Sequence, residues 1–185
     1  MSCPNGCNIG PPAAHDLAAP YARRVELTHI DAQGAARMVD VSGKDVTART
    51  ATAAGRFVTT PEVIALLRRD GLPKGDALAV ARIAGIAGAK HTPALVPLCH
   101  PVALHGVTLD LDVGDTSVEI TATTRTADRT GVEMEALTAV VVAGLALYDM
   151  VKAVDRTAQL TDVRLLTKAG GRTGEWSRGV DGPTT

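Results

Sequence analysis

The chain has 185 residues, a length typical of one domain with room for a sizeable core. Lys and Arg number 19 against 20 Asp and Glu, so no overall basic field marks a binder of nucleic-acid backbones or membrane surfaces. Only 2% of the residues are aromatic although 45% are hydrophobic, which argues against an aromatic stacking surface for single-stranded nucleic acid.

Membrane and disulfide patterns are both weak. The longest uninterrupted apolar run, from Ala139 to Tyr148, is far shorter than the ~20 residues of a membrane span, and no signal-peptide pattern is present. Two of the three cysteines, Cys3 and Cys7, lie in a Gly- and Pro-rich start, so we predict no disulfide framework. We expect a soluble, cytoplasmic protein.

Composition divides the chain into three parts. Residues 1–24 are rich in Gly, Pro and Ala without a period and predict a flexible extension. Residues 25–176 form the predicted domain, and residues 177–185 a loose C-terminal tail. Arg172 and Trp176 are the residues that could anchor the segment leading into that tail.

The first predicted elements are a hairpin, a strand and a helix. Residues 27–30 and 37–41 flank the turn-like sequence Asp31-Ala-Gln-Gly34 and predict a small hairpin. The Thr- and Ala-rich residues 50–59 predict a strand. Thr60-Pro61-Glu62 then supplies a cap, a first-turn proline and a first-turn acid for a helix.

A second helix is predicted over residues 74–90. Arg82 is its only charged residue between Ala77 and Ala89, so nearly every face of this helix is apolar. We therefore expect the helix to be buried. An unpaired buried charge is very costly, so Arg82 needs a partner, either an internal carboxylate or a bound anion.

The remaining elements define the fold class. Apolar and polar residues alternate over 107–113 and 118–123, on either side of Gly114-Asp115, which predicts an antiparallel hairpin. A long helix over 132–154 and a final strand over 162–167 follow. The order strand, helices, strand, strand, helix, strand predicts an α+β, ferredoxin-like (split βαβ) fold with helices on one face of an antiparallel sheet.

The long helix has a polar stripe and a long apolar middle. Glu135, Thr138, Asp149 and Lys152 fall within one arc of roughly 100°, whereas Glu133 points to the other side. The apolar middle is more than one sheet face can cover, which favours a second copy of the chain as a partner.

The charges at the two ends of this helix are far apart within one chain. Glu135 and Asp149 lie about 21 Å apart along the helix axis, but two helices paired antiparallel would bring Glu135 of one chain near Asp149 and Lys152 of the other. The alternative is that these residues are solvated surface charges, with an Asp–Lys pair that contributes a few tenths of a kcal/mol.

The sequence Pro97-Leu-Cys-His-Pro101 is a stiff loop that carries a thiol and an imidazole. Adjacent residues of an extended chain point to opposite sides, so Cys99 and His100 are a poor nucleophile–base pair. His100 either contacts a ligand or is a buried structural histidine, and packing is the favoured role of Cys99. His105 also lies nearby, but no second paired ligand set exists, and we predict no zinc site.

Two further segments suit a bound anion. Pro73-Lys-Gly-Asp76 places Lys74 at the start of a helix, where backbone N–H groups favour anions. Lys168-Ala-Gly-Gly-Arg172 leaves a strand through two glycines with a cation on each side. The alternatives are an ordinary exposed lysine and an ordinary C-terminal loop, and neither a P-loop nor a Gly-x-Gly-x-x-Gly fingerprint is present.

Seven dispersed segments, in order, closely resemble the cyclic pyranopterin monophosphate synthase family, also called the molybdenum cofactor biosynthesis protein C family. The segments are Leu27-Thr-His-Ile, Met38-Val-Asp-Val-Ser42, Pro73-Lys-Gly-Asp76, Ala81-Arg-Ile-Ala-Gly-Ile86, Pro97-Leu-Cys-His-Pro101, Thr130-Gly-Val-Glu-Met-Glu-Ala-Leu-Thr138 and Tyr148-Asp-Met-Val-Lys-Ala153. The resemblance covers about residues 27–176. It departs at His91, where the family pattern has Arg, and in the Cys-containing N-terminal extension.

The resemblance implies an activity and an assembly. Members of the family convert 3′,8-cyclo-7,8-dihydroguanosine 5′-triphosphate into cyclic pyranopterin monophosphate with release of pyrophosphate. It implies a homohexamer, a trimer of dimers, with active sites at the dimer interface. No redox cofactor or protein-bound metal is implied, although Mg²⁺ can accompany the substrate phosphates.

The resemblance also assigns roles to residues. Asp149 matches the catalytic acidic residue, and Lys152 and Lys74 match the essential lysines. Substrate-contacting positions match Leu98, Cys99, His100, Met134 and Glu135, and site-lining or phosphate-side charges match Arg82, Lys90, Glu133 and Lys168. We hypothesise that Lys152, tuned by Asp149 and surrounded by cations, loses its proton easily and handles protons together with Lys74.

Two other functions remain open from the sequence. One is a nucleotide-binding oligomer of the same fold that performs no turnover. The other is a GTP cyclohydrolase-type enzyme, which would need a metal-activated water.

Overall fold

The computed structural model describes residues 33–172 and 174–179. Contacts divide the chain into two units, Met1–Ala36 and Arg37–Thr185, and the description below concerns the second. Its strands are β1 Thr47–Val58, β2 Gly106–Val113, β3 Ser117–Asp128, β4 Gln159–Ala169 and β5 Trp176–Ser177. Its helices are α1 Pro61–Arg68, α2 Ala77–Lys90, α3 Thr92–Leu95 and α4 Glu133–Val151.

The five strands form one antiparallel sheet in the order β2-β3-β1-β4-β5. Alternate residues of β1, among them Ala51, Ala53 and Phe57, are buried, because this face of the sheet is covered by α4. The order of strands and helices through β4 confirms the predicted α+β, ferredoxin-like class.

Side-chain caps begin the first two helices, and of these only the cap at Thr60 was predicted. Thr60 Oγ1 accepts a hydrogen bond from the Val63 N–H at 3.4 Å, and Asp76 Oδ1 accepts one from the Ala79 N–H at 2.9 Å. The second helix therefore begins at Ala77 and not at Lys74, which lies in the preceding loop.

Glycines let α2 and α4 pack unusually close together. A Cβ atom at Gly85 would lie 2.8 Å from the Ala139 carbonyl oxygen, and one at Gly88 would lie 2.7 Å from a methyl group of Val142. The close approach of the two helices explains how small residues fill a core with few aromatic side chains.

Two predictions about individual elements were wrong. The second helix is not buried on every face, because Val80, Arg82 and Ile83 are exposed in the single chain, Ile83 by 69%. Residues 37–41 form no strand, so the predicted hairpin is absent there, and its other arm lies outside the described residues. β5 was missed, although it anchors the C-terminal segment through Trp176, as anticipated.

The predicted extension, residues 1–24, lies outside the described residues, as do residues 180–185 of the tail. Within the described part of the chain, α4 is the one helix with the length and hydropathy of a membrane span. Because 56% of its apolar window is buried inside the protein, we interpret α4 as the core helix of the fold.

Candidate active site

The C-terminal end of α4 brings three predicted residues together. Asp149 Oδ2 lies 2.7 Å from Lys74 Nζ, and Asp149 Oδ1 lies 2.8 Å from Lys152 Nζ. Lys74 also donates to the Asp149 carbonyl oxygen at 2.8 Å. One carboxylate thus binds two ammonium groups, one from the same helix and one from the loop before α2.

Electrostatics in this cluster oppose one of our hypotheses. Hydrogen bonds from Lys152 and Lys74 lower the pKa of Asp149 to about 2. The same hydrogen bond raises the pKa of Lys152, because the carboxylate stabilises the ammonium form. The expectation that Lys152 loses its proton easily is therefore wrong for the single chain.

At the other end of α4, Glu133 and Lys168 form an ion pair. Lys168 Nζ lies 3.0 Å from Glu133 Oε1, and both side chains are largely shielded from solvent. They line a small cleft of about 90 Å³ together with Arg49, Gly131 and Gly170. The α4 N-terminus also borders this cleft, and it has no side-chain cap to occupy its N–H groups.

Lys168 reaches Glu133 because β4 contains a bulge. Leu165 pairs with Ala53, whereas Lys168, three residues later, pairs with Ala51, only two residues away along β1. The extra residue reverses which side chains of β4 point to each face of the sheet. Lys168 therefore lies on the helix side of the sheet. Regular alternation from Leu165 would have turned Lys168 to the other face.

A second, larger cleft adjoins the first and contains two cations, Lys44 and Arg49, that were not predicted from the sequence. Its volume is about 470 Å³, and its lining includes Lys44, Arg49 and Arg172. We refer to Lys44, Arg49, Lys168 and Arg172 as the cation cluster. A signal existed for Arg49, since it is the one charged residue of the Thr- and Ala-rich sequence over 46–55.

The backbone around the cation cluster requires glycine. Gly170 and Gly171 both have positive φ angles, 94° and 73°. A Cβ atom at Gly171 would lie 2.8 Å from Arg49 Cζ, so the guanidinium packs directly on the main chain. Thr47 Oγ1 also lines the larger cleft and is, within the described residues, a buried hydroxyl without a hydrogen-bond partner.

The 97–101 loop lies near the N-terminal part of α4. Burial first, and then the charge of Glu135, raises the pKa of the half-buried Cys99, which supports a packing role. Burial also raises the pKa of Glu135, whose side chain is only 3% exposed. His100 Nε2 lies 2.6 Å from the Val39 carbonyl oxygen. Leu98 and Met134 are exposed.

Among the predicted lysine and arginine site residues, Arg82 and Lys90 join neither cluster. Arg82 Nε donates to the Leu109 carbonyl oxygen at 3.2 Å, so its expected partner is a backbone carbonyl and not a carboxylate. Lys90 is exposed at the end of α2, and the described residues give it no ion pair. Over residues 33–172 and 174–179, no three His, Cys, Asp or Glu side chains are grouped to hold a metal ion.

A family model described as the MoaC family matches residues 38–171, which include the lysine–aspartate cluster and the Glu133–Lys168 pair. The chain belongs to this family. A cyclic pyranopterin monophosphate synthase of Streptomyces coelicolor is 69% identical over 152 residues, which cover 82% of this chain and 89% of that protein. Cyclic pyranopterin monophosphate synthase 2 of Mycobacterium tuberculosis is 60% identical over 156 residues, covering 84% and 93%. The synthase of Chloroflexus aurantiacus is 56% identical over 155 residues, covering 83% and 95%.

In this member of the MoaC family, the lysine–aspartate cluster and the Glu133–Lys168 pair occupy opposite ends of one helix. The lysine–aspartate cluster is at the last turn of α4, and the Glu133–Lys168 pair is at its first turn. At 1.5 Å per residue these ends are separated by more than ~20 Å, too far for both to contact one small reacting group.

Proposed function

We propose that this chain converts 3′,8-cyclo-7,8-dihydroguanosine 5′-triphosphate into cyclic pyranopterin monophosphate and pyrophosphate, for molybdenum cofactor biosynthesis. The observation that carries this proposal is the Lys74–Asp149–Lys152 cluster, with both lysines on one carboxylate, in a chain of the MoaC family. Relatives named as synthases of this product match most of its length.

The cation cluster suits the substrate's triphosphate. The four cations of this cluster line clefts that also contain two acidic residues, Asp45 and Glu133, of which Glu133 holds Lys168 in place. A sugar hydroxyl attacks the α-phosphorus, and the bond to pyrophosphate breaks. Pre-positioned cations favour this step because they stabilise the negative charge that develops on the leaving group.

The lysine–aspartate cluster suits proton transfer during ring rearrangement. Because the carboxylate of Asp149 raises the pKa of Lys152, Lys152 enters the reaction as a proton donor, with Lys74 held beside it on the same carboxylate. Either lysine becomes a base only after it has given up its proton, or when a bound substrate or a partner subunit weakens its contact with Asp149.

The separation of the two clusters supports an active site shared between two chains. We propose an antiparallel pairing in which the lysine–aspartate cluster of one chain meets the Glu133–Lys168 end of the other, and a hexamer built from three such dimers. Apolar side chains exposed on α2 and α4, including Val80, Ile83 and Leu145, supply a surface for such a contact.

The proposal needs neither an organic cofactor nor a metal bound by the protein itself. Mg²⁺ on the substrate phosphates is compatible with it, since hard cations accompany phosphate oxygens in many sites. We also propose a cytoplasmic location, where a GTP-derived triphosphate is available.

The deciding experiment measures pyrophosphate release from the cyclic triphosphate, together with substrate binding. We expect release by the wild type and binding without release by Lys152→Ala. Binding without release by the wild type would support the non-catalytic oligomer. Formate production that is abolished by a strong chelator would support a cyclohydrolase-type enzyme.

A further inference from the structure

Residues 38–44, which we term the strap, cross the surface without forming a helix or a strand. Side chains from two other segments hold them in place. His100 Nε2 lies 2.6 Å from the Val39 carbonyl oxygen, near the start of the strap. Arg129 Nε donates to the Lys44 carbonyl oxygen at 2.9 Å, at its end.

Two internal hydrogen bonds make the strap one folded unit. The Lys44 N–H donates to the Val41 carbonyl oxygen at 3.0 Å, and the Ser42 N–H donates to Asp40 Oδ1 at 2.8 Å. These two amide groups exchange with solvent only when the strap opens, so their exchange rates report on how firmly it is attached.

The contact with Val39 identifies which nitrogen of the His100 ring is the donor. A carbonyl oxygen only accepts hydrogen bonds, so Nε2 must carry the hydrogen. In the neutral ring Nδ1 then has a free lone pair and acts as an acceptor. The described residues provide no hydrogen-bond partner for this nitrogen.

The strap connects His100 with the cation cluster. Its first residues line a cleft of about 460 Å³ together with His100 and Arg129. Its last residue, Lys44, lines the neighbouring 470 Å³ cleft with Arg49 and Arg172. We therefore expect a movement at Val39 to displace Lys44, one of the cations, which lies five residues further along the strap.

We propose that His100 is a positioning residue for Lys44, because its Nε2–H tethers the strap while Nδ1 accepts a hydrogen bond from an N–H or O–H group of the substrate. The tether itself is independent of the proposed function, whereas the role of Nδ1 rests on it. Substrate bound at Nδ1 favours the tautomer that holds the strap, and by linkage the held strap favours substrate binding.

Two substitutions separate the two ring nitrogens. The Asn side chain ends at the position of Nδ1, one atom short of Nε2, whereas the Gln amide nitrogen reaches the position of Nε2. We expect His100→Asn to speed hydrogen exchange of the Ser42 and Lys44 amides by roughly 3- to 10-fold, the equivalent of one lost hydrogen bond. His100→Gln should leave these rates close to those of the wild type.

Arg129→Met is the positive control, because it removes the other tether and leaves His100 intact. If Arg129→Met speeds exchange but His100→Asn does not, the tether is refuted. It is also refuted if His100→Gln and His100→Asn speed exchange equally. Melting temperature and subunit mass identify any variant that fails to fold.

A kinetic cycle tests the consequence for Lys44. Lys44→Met should raise KM for the triphosphate in the wild-type background and in the His100→Gln background. In the His100→Asn background Lys44 is already misplaced, so Lys44→Met should raise KM there by less than about twofold. Equal effects in all three backgrounds would overturn the positioning role. If no variant releases pyrophosphate, the proposed function fails, while the exchange rates still decide the tether.

Discussion

Asp149 is an exposed carboxylate that binds two lysines at once. The cluster therefore has a net positive charge, because one carboxylate faces two ammonium groups. Because all three side chains are about half exposed, their ion pairs contribute little to folding stability. We infer that the arrangement is maintained for chemistry more than for stability.

Asp149→Asn should abolish most of the activity and leave the fold intact. We expect the rate of pyrophosphate release to fall by about a hundredfold or more, because both lysines lose the carboxylate that orients them. Asp115→Asn is the matched control, since Asp115 is an exposed carboxylate paired with Arg68 at 3.1 Å in a different part of the molecule. Similar losses in both variants, or a large drop in melting temperature for Asp149→Asn, would contradict this prediction.

The carboxyl group of Asp149 should titrate near pH 2, well below the ~3.9 of an unfolded chain. Lys152→Met should raise this pKa more than Lys74→Met, because the hydrogen bond from Lys152 is its largest cause. Carbon-13 NMR of labelled Asp carboxyl groups measures both shifts. Since the folded pKa is the lower one, the ion pairs stabilise the protein above pH ~4 and lose this effect as the pH falls toward 2.

Among the helices, α4 determines where the site residues lie. It carries Glu133 and Glu135 at its start and Asp149 at its end, and its middle packs on the sheet and on α2. The short distance between α2 and α4 depends on Gly85 and Gly88, which have no side chain to separate the two helices. The position of Lys74, just before α2, therefore depends on this packing.

Gly85→Ala should destabilise the protein by about 1–3 kcal/mol, because the new methyl group overlaps the backbone oxygen of Ala139, which cannot rotate away. Gly88→Ala should cost less, since its new contact is the side chain of Val142. Both substitutions replace Gly by Ala within a helix and gain the same helix propensity. The difference between their free energies of unfolding therefore reports packing alone. Urea unfolding measures it, and a Gly85→Ala protein as stable as Gly88→Ala would contradict the prediction.

Over the whole molecule, one chain contains two clusters of site residues, at opposite ends of α4, that are too far apart to meet. The helix layer also leaves Ile83 and Leu145 exposed by 69% and 61%. Both features are explained by the proposed pairing of two chains, which covers apolar surface and completes a site in the same contact.

A mixing experiment tests this sharing directly. Lys152→Ala and Lys168→Ala are each expected to be inactive, but after subunit exchange roughly a quarter of the sites should combine two intact halves and recover activity. Mixing Lys152→Ala with Lys74→Ala is the control, because both defects lie in the same half-site and no exchange can repair it. Failure of the first mixture to recover activity, with subunit exchange verified by mass, would refute the shared site.

Local features of the sequence were enough to predict most of the elements. Alternation predicted the β2–β3 hairpin, the cap at Thr60 marked the start of α1, and the order of elements indicated the fold class. These predictions succeeded because each depends on residues within a few positions of one another. The hairpin over 27–41 failed within the described residues because a turn-like tetrapeptide does not by itself provide a paired strand.

The sequence by itself determined which residues to propose for the chemistry: Asp149, Lys152 and Lys74 were found from motifs, and the structure brings the three together. Only the tertiary structure decided that Lys168 faces Glu133, that Lys44 and Arg49 join the cation cluster, and that Lys152 has a raised pKa. A one-residue bulge and a long-range ion pair leave no periodic signal along the chain, because both arise from contacts between residues far apart in sequence.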